Sequence, residues 1–440
     1  MGLGRSSMSR GMDVTAPVVI FPSVHHGGLG ITRTLGRLGV PVYHIAGHRF
    51  CPASFSRWSR GHFARPKGEV SPERSVELLL RIADETGDRP VLIPTTDIAA
   101  LFVAKHAGAL EERFRFPRVE PALVEALYSK KEMHCLARKY GVPTPEAFFP
   151  QSRSEACQFA AGAEYPVVIK AIHDRVLRRR GRVTKVIARN RHELIESYEW
   201  MEDPGAPSLM FQQSIPGRDL WMFNGYFDEN SECKVGFTGR KLRQFPAYTG
   251  ATTLGICMRN EAVASIAEQF MKALGYRGVL DIDYCYDARD GLYKVLDVNP
   301  RVGSTFRLFA GKDGAEDEVD VVRALYRDLT GQSVHAATAP EGRKWLVEDF
   351  DLLACLRYRR DGVLAMREWI GSYRGVRELA CFALDDPLPV LAMLLDDMQA
   401  GLLSVFRGRR SRPVHGVDAR ARRSVGSVPI GKERECAERS

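Results

Sequence analysis

The nine cysteines of this 440-residue chain never form a C-x-x-C pair. That absence removes the usual sequence signs of a zinc site or a disulfide framework, and free thiols fit a reducing cytoplasm. No uninterrupted apolar run approaches the length of a membrane span. The first residues, MGLGRSSMSRGMD, hold no apolar segment of the signal-peptide kind. The expectation is a cytoplasmic protein without a membrane span. The phosphate loop G-x-x-x-x-G-K-[ST] is missing, and so are H-R-D and D-F-G, so any bound nucleotide is held by another fold. There is no Met-Lys-Met sequence, which argues against a biotin carrier, and no internal repeat.

What is present is an ordinary globular composition, 45% hydrophobic and 27% charged, in a chain long enough for two or three domains. Much of the net charge of +9 sits in residues 407–440, beginning RGRRSRP and continuing ARARRS. With few large apolar residues, that segment reads as a disordered, solvated basic tail rather than a specific nucleic-acid contact. Ahead of the first apolar strand, residues 1–16 read as a disordered N-terminus.

Strand and helix signals alternate from 17 to 125. PVVIF (17–21), PVYHIA (41–46) and PVLIPT (90–95) read as strands, HHGGLG (25–30) as a glycine loop, and 31–39 and 76–87 as helices. Such alternation implies βαβ units and a parallel sheet. Residues 129–145 read as a helix stopped at Gly141. From 150 to 310 the strands are longer and mixed: 165–172, 181–189, 208–215, 221–228, and a hairpin of VLDIDYCYD (279–287) and LYKVLDVN (292–299) around ARDG. Residues 345–405 look helical, and the amphipathic stretch PLPVLAMLLDDMQAGLL (387–403) reads as a packed helix. Its role stays open between capping a ligand site, pairing two subunits as a homodimer, and carrying a partner.

The hairpin concentrates the chemistry. Alternate strand residues share a face, which sets Asp281 with Asp283 on one strand and Asp297 with Asn299 on the next. Gathered carboxylates repel one another, and a cation resolves that conflict. An all-oxygen set favours Mg²⁺, which commonly takes phosphate oxygens too. The plain alternative is a solvated hairpin whose acids never meet. Lys170 closes an apolar strand, Lys130 and Lys131 precede a helix, and Lys241 lies with Arg240 and Arg243 in FTGRKLRQFP. Cations on three elements suit a triphosphate. In LMFQQSIPGRD, the break at Pro216-Gly217 can offer backbone groups of Gln212 and Ile215 to an adenine edge, with Asp219 near a ribose. Asp97, after the third strand, could receive an amino group or cap the following helix.

The order of these pieces over roughly 17–310, above all GVLDIDYCYDARDGLYKVLDVNPRVGS, resembles the ATP-grasp superfamily, particularly its carboxylate–amine ligases. The resemblance implies a parallel α/β domain (17–125, pre-ATP-grasp) before a two-lobed α+β ATP-grasp domain (126–335, mobile lobe about 140–215). A helical C-terminal extension (336–406) would follow. It implies ATP with Mg²⁺, or Mn²⁺ in its place, held by Asp283, Asp297 and Asn299, where the family more commonly has Glu at the two Asp positions. Lys130, Lys170 and Lys241 match the phosphate lysines, Gln212 and Ile215 the adenine hinge, and Asp219 the ribose acid. Arg301 matches the arginine that holds the reacting carboxylate or acyl phosphate; Lys241 and Arg301 would be the catalytic pair. RRRGRV (178–183) lies where the family has a mobile phosphate-covering loop. The HHGGLG helix start would face a substrate anion, which makes His25 and His26 candidates for substrate contact, with Arg243 and Asp97. The implied activity joins a small-molecule carboxylate to an amine through an acyl phosphate. An ATP-grasp kinase and a non-catalytic ATP-binding protein are the alternatives.

Overall fold

The computed structural model describes residues 12–24, 26–65, 71–173, 177, 182–202, 205–217, 219–311, 319–335 and 339–406. His25, most of the RRRGRV segment and the basic tail lie outside them.

The first sheet contains β1 (Val18–Ser23), β2 (Val42–Ala46), β3 (Ser59–Ala64) and β4 (Val91–Pro94), all parallel, in the order β3-β2-β1-β4. Strand alternation divides its apolar residues. Val18, Ile20, Val91 and Ile93 join one core, while Val19, Ile45 and Leu92 join another with Leu79 and Ile82 of the helix Pro72–Thr86. Ser71 caps that helix by accepting from the Arg74 N–H, and Pro72 sets its first turn. Gly87 closes the last turn with a φ of 114°, a conformation that favours glycine.

A second sheet holds β5 (Ala147–Phe148), β6 (Val167–Ala171), β7 (Lys185–Ala188) and β8 (Leu209–Gln213), antiparallel in the order β5-β8-β6-β7. The third and largest has β9 (Asp219–Phe227), β10 (Cys233–Phe245), β11 (Ala251–Cys257), β12 (Gly278–Asp287), β13 (Leu292–Asn299), β14 (Lys344–Leu346) and β15 (Val376–Leu379). Its order is β13-β12-β9-β10-β11-β14-β15, antiparallel except for the β14–β15 pair. One face, with Phe223, Leu280, Ile282 and Val298, packs on the helix Glu261–Ala273. A single core reaches from Val18 and Ile20 of the first sheet to Phe237, Trp345 and Met393. No helix among the described residues is long and apolar enough to cross a membrane.

Three local expectations change. HHGGLG is not a loop: the helix His26–Gly36 runs through its glycines. They permit close packing, since a Cβ on Gly28 would collide with Ser23 Oγ and one on Gly30 would lie 2.8 Å from Arg307 Cγ. β3 (SRGHFA) and the long β10 carry no continuous apolar run and escape the sequence reading. The C-terminal extension contains, besides its helices, two strands that complete the large sheet.

Candidate active site

β12 and β13 pair in a register that sets Asp281 opposite Asn299 and Asp283 opposite Asp297, with Ile282 opposite Val298 between them. Because side chains alternate, Ile282 and Val298 enter the core while the four polar residues share the other face. Lys241, on β10 two strands away, reaches Asp283 Oδ2 with its Nζ at 2.6 Å. Asn299 donates its amide N–H to the Asp281 carbonyl at 3.3 Å, which leaves its side-chain oxygen as the atom a cation can use.

Arg301 follows Pro300 at the end of β13 and lies between two acids. Its Nη1 donates to Asp281 Oδ2 at 3.3 Å, and its Nε stands 3.5 Å from Asp97 Oδ1. Asp97 comes from a helix behind the first sheet: it is the first residue of the helix Asp97–Lys105 after β4, and Thr96, not Asp97, caps that helix. Burial pushes the Asp97 carboxyl above its ordinary pKa despite Arg301. Asp281 is pushed to about 6, by burial first and the neighbouring Asp283 second, with Arg301 and Lys241 opposing. For Asp297, burial is the largest influence and acts upward. Lys130, Lys170, Lys185 and Arg301 together outweigh it and hold the group below the ordinary value.

The second sheet supplies two of the cations. Lys170 on β6 and Lys185 on β7 are cross-strand partners, the first buried and the second half-buried. Burial lowers the Lys170 ammonium to about 7, and Lys185 beside it adds to the fall. Lys185 donates to the Thr249 carbonyl at 3.0 Å. Lys130 begins the helix Lys130–Lys139, and its charge acts on Asp97, Asp297 and both of these lysines. Beside this cluster lies a cavity lined by Lys170, Lys185, Gln212, Ile215, Leu220 and Leu296, among others. Gln212 is buried on β8, and its amide nitrogen has no hydrogen-bond partner among the described residues.

The structure therefore brings together Asp97, Lys130, Lys170, Lys241, Asp283, Asp297, Asn299 and Arg301, with Gln212 and Ile215 in the adjoining cavity. Asp219 stands at the start of β9 in an ion pair with Arg240 at 2.6 Å. His26 faces the Trp345 ring, with centroids 5.3 Å apart.

Arg243 does not join the group. The β10–β11 register slips between Lys241 and Arg243, which breaks the alternation that would keep them on one face. Arg243 is instead buried against Asp351, with Nε and Nη2 at 2.8 and 2.7 Å from its oxygens, and donates to Ser372 Oγ. The sequence reading passed over two residues. Lys185 sits in an apolar strand just as Lys170 does, and that likeness was the available signal. Asn224 sits opposite Asp281 on β9, fully buried, and donates to its Oδ1 at 3.4 Å.

Two facing carboxylates and one amide oxygen form a hard, all-oxygen donor set, which fits Mg²⁺. Among the described residues no three His, Cys, Asp or Glu side chains stand together as a complete metal cage.

The lysine-bearing small sheet and the large sheet with its acidic hairpin have the ATP-grasp fold, and the parallel sheet precedes them. Solved structures share it. N5-carboxyaminoimidazole synthetase from Staphylococcus aureus aligns with a TM-score of 0.56 at 12% identity, over 74% of this chain and 81% of that one. The biotin carboxylase domain of Hydrogenobacter thermophilus 2-oxoglutarate carboxylase aligns at 0.54 and 17%, over 72% and 71%. L-amino acid ligase from Bacillus licheniformis aligns at 0.51 and 16%, over 72% and 75%. No protein-family model matches the chain. By sequence it is similar to D-aspartate ligase from Enterococcus faecium, 26% identical over 243 residues. That match covers 52% of this chain and 58% of the ligase, less than two thirds of its length.

Proposed function

We propose that this protein is an ATP-dependent carboxylate–amine ligase that makes an amide or peptide bond and releases ADP and phosphate. The similarity to D-aspartate ligase and the fold shared with L-amino acid ligase support an amino acid as one of its substrates. The single observation that carries the reading is the register of the hairpin. Asp283 faces Asp297 directly, among Lys130, Lys170, Lys185 and Lys241, with Arg301 at the strand end.

In this reading residues 17–125 form the leading α/β domain and 126–335 the ATP-grasp domain, whose segment of about 140–215 moves as a lobe. Residues 336–406 extend it. Adenine enters the cavity beside Gln212 and Ile215, with Asp219 toward the ribose. The four lysines neutralise the triphosphate, which needs several positive partners. Mg²⁺, held by Asp283, Asp297 and Asn299, would offset charge on the phosphate oxygens. Lys241 is then the hinge of the site: its ammonium holds Asp283 in the absence of nucleotide and lies within reach of a phosphate in its presence.

Arg301 receives the substrate carboxylate and orients one oxygen for in-line attack on the γ-phosphorus. The P–O bond to ADP breaks as the acyl phosphate forms. The amine nitrogen then attacks the acyl carbon, the C–O bond to phosphate breaks, and the nitrogen loses a proton. Asp97, with its raised pKa, stands on the far side of Arg301, placed to accept an N–H of an incoming amine. No nucleophile from the protein is required, and positioning with charge stabilisation carries the catalysis.

The test is ADP release with Mg²⁺ across amino acids and small carboxylates, each alone and paired with amines. ADP that forms only when both partners are present, with the amide found by mass, is the expected result. ATP binding with no carboxylate-dependent ADP release would overturn the proposal.

A further inference from the structure

Two buried polar residues have no part in the acyl-phosphate reaction: Asp281 on β12, and Asn224, which faces it from β9. Asn224 is fully buried, and its Nδ2 donates to Asp281 Oδ1 at 3.4 Å. Its Oδ1, on the same amide, therefore stands beside Asp281, and it has no hydrogen-bond partner among the described residues. Asp281 Oδ2 accepts from Arg301 Nη1 at 3.3 Å. A Cβ at position 303 would lie 2.8 Å from that oxygen, so Gly303 keeps it clear. Across the guanidinium, Asp97 adds a second carboxylate. Acceptors thus crowd a single cation. Lys241 does not relieve them, because its Nζ is bonded to Asp283.

We propose that Asp281 and Asn224 form an ammonium subsite beside Arg301, so that the carboxylate substrate is an amino acid whose ammonium lies one or two carbons from the reacting carboxylate. This rests on the ligase reading and names the class of its acyl donor. A zwitterion can enter between the two members of an ion pair, because each of its ends meets the opposite charge. Its carboxylate takes the Arg301 guanidinium. Its ammonium replaces that guanidinium on Asp281 Oδ2 and offers a further N–H to Asn224 Oδ1. A plain carboxylate would also take Arg301, but it would leave Asp281 buried without its hydrogen-bonded cation, which is strongly unfavourable. A site built to bond an N–H rejects the analogue that lacks it. Asp97, on the far side of Arg301, is left for the incoming amine.

Calorimetry on the full chain with Mg²⁺ and adenylyl imidodiphosphate compares the D and L forms of aspartate and alanine with succinate and propionate, the same acids without the ammonium. ADP release is measured on the same set with ATP and a panel of amines. At least one amino acid should bind about 100-fold or more tighter than its des-amino twin in the parent protein. In Asp281→Asn that ratio should fall to about ten-fold or less, and Asn224→Ala should lower it in the same direction. A merely structural role for Asp281 would weaken both members of a pair alike and keep the ratio. The parent comparison tests the proposal even where a variant folds poorly. Twins that bind equally, or not at all, would overturn it, and so would an unchanged ratio in Asp281→Asn. Selective amino-acid binding without ADP release would reject the ligase reading and support the subsite. ADP release driven equally by both members of a pair would support the ligase and overturn the subsite.

Discussion

Lys170 sets up a measurable proton uptake. Its ammonium is buried and its pKa is lowered from 10.5 to about 7, with burial as the main cause and Lys185 as the second. At about 1.4 kcal/mol per unit, keeping that charge there without a nucleotide costs on the order of 5 kcal/mol relative to water. A triphosphate removes the reason for the shift, because it places negative charge beside the ammonium. The group is protonated below pH 7 and neutral above it, so above pH 7 nucleotide must bind together with a proton. Near pH 8 roughly 0.9 proton should enter per ATP, and the affinity should fall by up to about ten-fold for each further pH unit. Near pH 6 the uptake should fall to about 0.1. Calorimetry in two buffers of different ionisation enthalpy reads the uptake directly, and Lys170→Met should reduce it at pH 8. Uptake near zero at pH 8 in the parent protein, or an affinity that is flat from pH 6.5 to 8.5, would refute the reasoning.

Arg301→Ala should lower kcat by about 10²- to 10³-fold, the loss of one donor at a developing charge, while ATP affinity changes little. Steady-state ADP release and nucleotide titration separate the two effects. Lys185→Met, at a position the sequence reading passed over, should weaken ATP binding and push the Lys170 pKa upward, since Lys185 is one of the groups that depress it. Arg243→Ala leaves Asp351 buried without its main partner and should cost about 3–5 kcal/mol of stability, read by denaturant unfolding. An unfolding midpoint at the parent value would show that this pair is not structural.

Much of the site could be read from the chain because strand alternation is a strict rule. VLDVN and VLDID each alternate core residues with acids or amide, so the polar row on each strand could be named before the fold was known. Which acid faces which could not. That Asp283 lies opposite Asp297 depends on the register, and the register depends on the whole strand pair. Arg243 shows the same limit from the other side. It lies two residues from Lys241, a spacing that regular alternation would put on one face, and a slip in the β10–β11 pairing prevents it.

The parallel sheet was legible where strands were apolar runs, as at 17–21 and 90–95. It was not legible at Ser59–Ala64, an edge strand with little to bury. The glycines after His26 disfavour a helix in isolation, and contact with Ser23 and Arg307 overrides that preference. The strands β14 and β15 were hidden because both are short and lie between helical segments.

The central claim is that the facing carboxylates of the hairpin hold a divalent ion on the nucleotide. Titration of ATP into the protein with and without Mg²⁺, repeated on Asp297→Asn, tests it most directly. The account predicts binding that depends on Mg²⁺ in the parent and is at least about ten-fold weaker in the variant. Equal ATP affinity with and without the ion, or a variant that keeps the full Mg²⁺ dependence, would contradict it.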